Sequence, residues 1–202
     1  MAYGKPDKTA VVPGDCNGRW VQGAQRRQNR RADMETQKNP QVEELVAAAQ
    51  RYVKRALGAE LDLSPESLPI VDYYLNQVPK DSTAVRDLVL VAMGAYFGEV
   101  LRRRFGGRWL KQEGNIGGWL LLLSPHEVRV CPGAMTAEAL ADDAVDGVDA
   151  GLEVDDRYLK ILSLALDRSG PVDRDHYYSL CGKYETIEKV VETINVLTGK
   201  KR

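Results

Sequence analysis

Long apolar runs are missing from this chain. The most apolar stretch, Trp119 to Leu123, is five residues long, against the roughly 20 that a membrane-spanning helix requires. Near the start, Lys5 and Lys8 are followed only by Ala10-Val11-Val12 before Pro13, which is no signal-peptide core. A soluble protein with no membrane partner is expected. Cysteine is scarce as well: Cys16, Cys131 and Cys181 are odd in number and far apart, which argues against a disulfide framework and for a reducing, cytoplasmic setting. Phosphate-binding loops are absent, because Gly106-Gly107 and Gly117-Gly118 fit neither G-x-x-x-x-G-K nor G-x-G-x-x-G. There is no G-x-S-x-G elbow. The only histidines, His126 and His176, lie at no motif distance from a serine or cysteine nucleophile. No catalytic residue, cofactor or metal is assigned.

What is present is an ordinary globular composition, 44% apolar and 28% charged over 202 residues. That is enough chain to bury a core without disulfides. The net charge of −1 hides a segregation: residues 1–33 hold seven Lys/Arg and three Asp/Glu, and the rest holds 21 and 26. Residues 1–39 show no periodicity and are rich in Gly, Gln, Asn and Arg, so they are read as a disordered basic tail. Met34 offers a second possible start. Within the tail, Arg26-Arg27 and Arg30-Arg31 resemble the arginine-rich RNA-binding peptides of phage antiterminators. Such peptides place guanidinium groups on the phosphates of an RNA hairpin. A solvated tail is the preferred reading, and nucleic acid ranks last among partners.

Residues 40–202 are read as a single α+β domain. The first helix is expected over Pro40–Leu57, with Asn39 as cap, Pro40 at the first position and Gly58 as stop. Val42, Leu45, Val46, Ala49, Val53, Ala56 and Leu57 repeat at helical spacing. A second helix starts at Ser64-Pro65-Glu66 and carries Leu68, Val71, Leu75 and Val78. The third, over Thr83–Arg104, is apolar on two sides: Val85, Leu88, Val89, Ala92, Met93, Tyr96 and Val100 on one, Leu90, Val91, Gly94, Gly98 and Leu101 on the other. It therefore reads as a buried central helix, with Gly94-x-x-x-Gly98 letting a neighbour approach closely.

Three strands are expected next, over Arg108–Gln112, Gly118–Leu123 and Glu127–Cys131. They are separated by Gly114-Asn115-Ile116-Gly117 and by Ser124-Pro125. Short connections make them an antiparallel meander. The unalternating Trp119–Leu123 run is expected at its centre, covered on both faces. An acidic loop spans Asp142–Asp156, followed by a helix over Asp156–Leu166, a helical turn over Arg174–Cys181 and a final helix ending at Gly199. The fold class is thus α+β, helices packed on a small antiparallel three-stranded meander, with additional C-terminal helices.

Glu99 is the residue with the most chemical interest, because it falls among apolar positions of the third helix. A carboxylate there is paired or has a raised pKa. The structural reading is an ion pair with Arg108 or an arginine of Arg102-Arg103-Arg104, and it is preferred over a general acid/base. His126 precedes Cys131 by five residues and His176 precedes Cys181 by five. That spacing splits each pair across a strand or a helix, which disfavours zinc. The acidic loop places Asp142, Asp146, Gly147 and Glu153 in an EF-hand register, but Ala144 and Ala150 stand at ligand positions. A solvated loop is expected there.

The strings Gly94-Ala-Tyr96-Phe-Gly98-Glu99-Val, Gly106-Gly107-Arg108-Trp109 and Gly117-Gly118-Trp119 form a pattern with Leu61-Asp62-Leu63-Ser64-Pro65-Glu66-Ser67-Leu68. It resembles a widespread group of uncharacterised bacterial proteins over residues 42 to 131. The resemblance implies a bacterial origin and a shared α+β fold, and it carries no activity. The leading functional expectation is a non-enzymatic interaction or regulatory domain, of accessory or immunity type, whose partner is another protein. Glu99, Arg108, Trp109 and Trp119 are its candidate partner- or ligand-binding residues. The alternative is a small-molecule-binding protein or enzyme with Glu99 as acid/base and Arg108 as anion clamp. RNA binding through Arg26, Arg27, Arg30 and Arg31 comes third.

Overall fold

Asn39 accepts the Gln41 N–H on its side-chain oxygen at 3.2 Å, Pro40 follows, and Gly58 at φ 70° closes the helix on the Lys54 carbonyl. These signals delimit α1, Pro40–Leu57, as the sequence indicates. Its buried residues are Val42, Val46, Ala49 and Val53, while Ala56 is exposed. The structure is a computed structural model that describes residues 39–79, 81–110, 118–167, 170 and 172–199. The basic tail with Arg26, Arg27, Arg30 and Arg31, and the turn at residues 114–117, lie outside the described residues.

The second helix begins later than its cap signal suggests. Ser64 makes no side-chain cap; its hydroxyl donates to Asp62 Oδ1 at 2.6 Å. Pro65–Ser67 form a 3₁₀ turn, and α2 proper spans Leu68–Leu75. The entry is fixed from a distance. Tyr96 of the third helix accepts the Leu63 N–H at 2.9 Å and sits 2.6 Å from Ser67 Oγ. Leu63 is thereby held at φ 63°, an uncommon backbone state for a leucine.

Helix α3, Thr83–Phe105, is the axis of the domain. From Ala92 to Gly98 every residue is buried, so the two apolar sides do mark a central helix. The expectation fails at its first turns, where Val85 and Leu88 are 42% and 63% exposed and so lie outside the covered part of the helix. Against α3 lie α1 on one side and, on the other, α4 (Pro132–Ala141). Helix α4 escapes a sequence reading because Pro132-Gly133 looks like a turn; here Pro132 takes a first-turn position, where it needs no N–H partner.

The sheet is an antiparallel meander of four strands in chain order: β1 Gly107–Leu110, β2 Leu120–Leu123, β3 Val128–Val130 and β4 Leu152–Glu153. The fourth strand is an addition to the expected three. It is two residues cut from the acidic loop, too short to show alternation. β2 is central, with Leu121 and Leu123 buried against the helices. Leu120 and Leu122 are only half-buried, so the second face is less covered than the apolar run suggests.

Helices α5 (Asp156–Asp167), α6 (Arg174–Tyr178) and α7 (Leu180–Leu197) complete the fold. The expected turn over Arg174–Cys181 divides at Ser179, whose hydroxyl accepts the Gly182 N–H at 3.0 Å and so caps α7. Asp72 of α2 adds a second cap, taking the N–H groups of Leu180 and Cys181 at 2.7 and 3.0 Å. A carboxylate there meets orphan donors and the positive end of the helix dipole. Among the described residues no helix is long and apolar enough to cross a membrane.

Candidate functional site

Gly98 decides the geometry around Glu99. A methyl built at Gly98 would fall inside the indole of Trp109 and lie 3.1 Å from Pro132 Cγ. At Gly94 it would stand 3.0 Å from the Cα of Gly133. The Gly94-x-x-x-Gly98 pair is therefore the seat of both α4 and the Trp109 ring. Seated there, the indole N–H donates to Glu99 Oε1 at 2.9 Å.

The same carboxylate receives Arg102 in a two-pronged pair, Nε to Oε1 at 2.8 Å and Nη2 to Oε2 at 2.9 Å. With three donors on it and 13% of its side chain exposed, Glu99 is a closed structural hub. Its partner is Arg102, from the arginine cluster the sequence offered. The hydrogen bonds to Glu99 hold the Arg102 guanidinium above its ordinary pKa. Arg108 is exposed on the opposite side of β1 from Trp109, and Trp119 is buried at 2% exposure. The four candidate residues therefore divide: Glu99 and Trp109 meet, Arg108 faces solvent, and Trp119 belongs to the core. Replacing Glu99 by Gln should cost about 1–2 kcal/mol by urea titration, the worth of charge-assisted bonds traded for weaker ones. The Trp109 emission should move little, since an amide oxygen still accepts the indole proton.

In the two His–Cys pairs each histidine has a partner other than its cysteine. His126 Nε2 donates to Asn195 Oδ1 at 2.8 Å, and His176 Nε2 lies 2.9 Å from Glu185 Oε2. Burial pushes the Cys131 thiol above its ordinary pKa, and burial together with the Asp72 carboxylate does the same to Cys181. Such thiols stay protonated and are poor nucleophiles and poor metal ligands. Among the described residues no group of three or more His, Cys, Asp or Glu is placed to hold a metal. In the acidic loop Glu153, the would-be twelfth EF-hand position, lies on β4 and pairs with Arg129 at 2.7 Å.

A cleft of about 220 Å³ opens beside β3 and β4, lined by His126, Glu127, Arg129, Glu153, Val154, Asp155 and Arg157. Its guanidinium groups are matched internally, Arg129 by Glu153 at 2.7 Å and Arg157 by Asp155 at 2.6 Å. An anionic ligand would have to displace one of these carboxylates. A further cluster lies deeper: Lys183 Nζ bonds Glu138 Oε2 at 2.6 Å under the Tyr177 ring, 4.5 Å to its centroid.

The surface offers a different feature. Of the twelve residues of α5 only Leu162 is buried, while Leu159, Ile161 and Leu164 are 50%, 41% and 53% exposed. No family model, curated protein or solved structure matches this chain. The reading of function therefore rests on the chain's own residues. Sequence periodicity places Leu162 inward, but it carries no signal that Leu164, about 160° round from it at 100° per residue, has no neighbour to cover it.

Proposed function

We propose that this domain acts by binding another protein, as an accessory or immunity-type factor, and that α5 is its docking face. The observation that supports this is the exposure of Ile161 and Leu164, which adjoin three residues apart on one short helix, with Leu159 exposed on another side of it. Apolar side chains exposed singly are ordinary, whereas adjoining ones mark a candidate interaction surface. Val85 and Leu88 at the start of α3 make a smaller patch. The enzymatic alternative loses its support, because Glu99 is saturated by Arg102 and Trp109 and Arg108 faces away from both.

The test is a photo-crosslinking residue placed at Leu164 in cells that express the full chain, with the same residue at Lys54, an exposed position on α1, as control. A discrete adduct from position 164 and none from position 54 is expected. Equal, diffuse labelling from both positions would remove α5 from the proposal.

A further inference from the structure

The cleft beside β3 and β4 is unevenly charged. Arg129 donates from Nη1 to Glu153 Oε1 at 2.7 Å, and Arg157 from Nη2 to Asp155 Oδ2 at 2.6 Å. Within each pair the two charges cancel. The lining has one further carboxylate, Glu127, which pairs with no described residue. Both of its oxygens are open, whereas Asp155 has also given Oδ1 to the Arg157 backbone N–H at 3.1 Å. Glu127 stands at φ 56°, a backbone state that favours glycine, asparagine or aspartate. The turn before β3 does not itself demand a glutamate.

We infer that this cleft receives the guanidinium of an arginine side chain from a partner protein, with Glu127 as its counter-charge. A carboxylate with both oxygens open accepts a guanidinium two-pronged, a planar fit that an ammonium does not offer. Size points the same way. About 220 Å³ is below the roughly 300–1,000 Å³ of sites for drug-sized molecules, and it suits a single side chain. An anion is the wrong occupant, because it would meet Glu127 and compete with the carboxylate of one of the two internal pairs.

The place of the cleft agrees with this. Arg157 stands in the first turn of α5, and Ile161 and Leu164 follow it four and seven residues on, along one stripe. The cleft therefore adjoins the exposed apolar pair. This inference rests on the reading of the domain as protein-binding and adds one side chain of the partner.

The test is a titration of the isotopically labelled full chain with Nα-acetyl-L-arginine methylamide, followed by amide chemical shifts. Saturable shifts at residues 126–129 and 153–157 are expected, with a Kd on the order of 1 mM for one side chain in an open cleft. The citrulline counterpart, of the same shape without the charge, should bind at least about tenfold more weakly. Glu127→Gln should weaken the arginine probe about fivefold. Arg129→Gln releases Glu153 and should tighten binding, a gain that a misfolded variant does not show. No saturable shift, equal binding of the citrulline probe, or indifference to either substitution overturns the inference. Saturable binding of the glutamate counterpart at the same residues overturns it too, since the arginines would then be the open groups. Crosslinking from position 164 separates this inference from the α5 reading. An adduct without arginine binding removes the cleft and leaves α5. Arginine binding without an adduct leaves the cleft and removes α5.

Discussion

Replacing Gly98 by alanine is expected to lower the stability of this domain by about 2–3 kcal/mol, measured by urea titration. The sign is opposite to the general rule. A glycine inside a helix normally costs roughly 1 kcal/mol relative to alanine, so the same exchange at a free position would stabilise α3. At Gly98 the added methyl falls inside the Trp109 indole and crowds Pro132 Cγ at 3.1 Å. One of three things must give: the ring, the first turn of α4, or α3 itself. If the ring moves, its N–H leaves Glu99, and the tryptophan emission should shift to the red. The Gly98→Ala, Trp109→Phe double variant removes the outer ring that the methyl meets, so it should cost less than the sum of the two single changes. Strict additivity would show that the indole is not what Gly98 accommodates. Gly94→Ala should be milder, because its methyl meets Gly133 Cα at 3.0 Å, tight but short of overlap.

Much of this arrangement is visible in the sequence, and the reason is particular. Helix α3 is apolar on two sides, and a helix can be so only if it is covered on two sides. The small residues at Gly94 and Gly98 then say that one cover comes close. They do not say which element provides it. Helix α4 was hidden behind Pro132-Gly133, residues that serve turns and helix starts equally well. β4 was hidden because two residues carry no periodicity. Glu99 shows the same limit at the level of a side chain. Its place among apolar neighbours implies a partner, and the run Arg102-Arg103-Arg104 supplies three candidates. The choice among them is a matter of helix geometry: Arg102, three residues on, shares the face of Glu99, whereas Arg108 leaves on the far side of β1. Trp109 could be paired with Glu99 only once the close approach at Gly98 was known. The surface is the least legible part. Leu164 has the composition of a core residue, and whether a helix face finds a neighbour depends on how the whole chain packs.

That dependence also explains how α5 can be amphipathic and still leave apolar side chains in water. It is held at its edges: Tyr158 stacks edge-on to His126, and His126 is tied to Asn195 at the end of α7. Leu162 supplies the one buried anchor. A helix anchored by so little leaves Ile161 and Leu164 uncovered among the described residues. The hydrophobic gain of covering Leu164 and Ile161, at about 25 cal/mol per Å², would come from a partner and not from folding.

The largest effect is expected at the opposite extreme of burial, in the pair between Lys183 of α7 and Glu138 of α4. Their side chains are 10% and 12% exposed and meet at 2.6 Å. Lys183 Nζ also lies 4.5 Å from the centre of the Tyr177 ring and 5.7 Å from that of Tyr178, so the cation has a carboxylate on one side and aromatic faces on the other. Lys183→Met leaves Glu138 a nearly buried carboxylate without its partner, and Glu138→Leu leaves the ammonium with the rings alone. Each should cost about 3–5 kcal/mol, since a buried charge that loses its counter-charge keeps its desolvation penalty. The double variant, Lys183→Met with Glu138→Leu, puts two apolar side chains of similar volume in the same space. It should recover most of the loss and fall within about 1 kcal/mol of the parent chain, because the pair's attraction mainly offsets the cost of removing both charges from water. Urea titrations of the four chains give the coupling directly. Single variants that cost under about 1 kcal/mol would mean that water reaches the pair and that it behaves as a surface bridge. A double variant as unstable as the sum of the singles would mean that α4 and α7 depend on the charges themselves. The sequence holds a clue to this pair: Lys183 stands three residues after Leu180 and four before Ile187, on the stripe that α7 turns to the core, where a lysine is tolerated only if something awaits its charge.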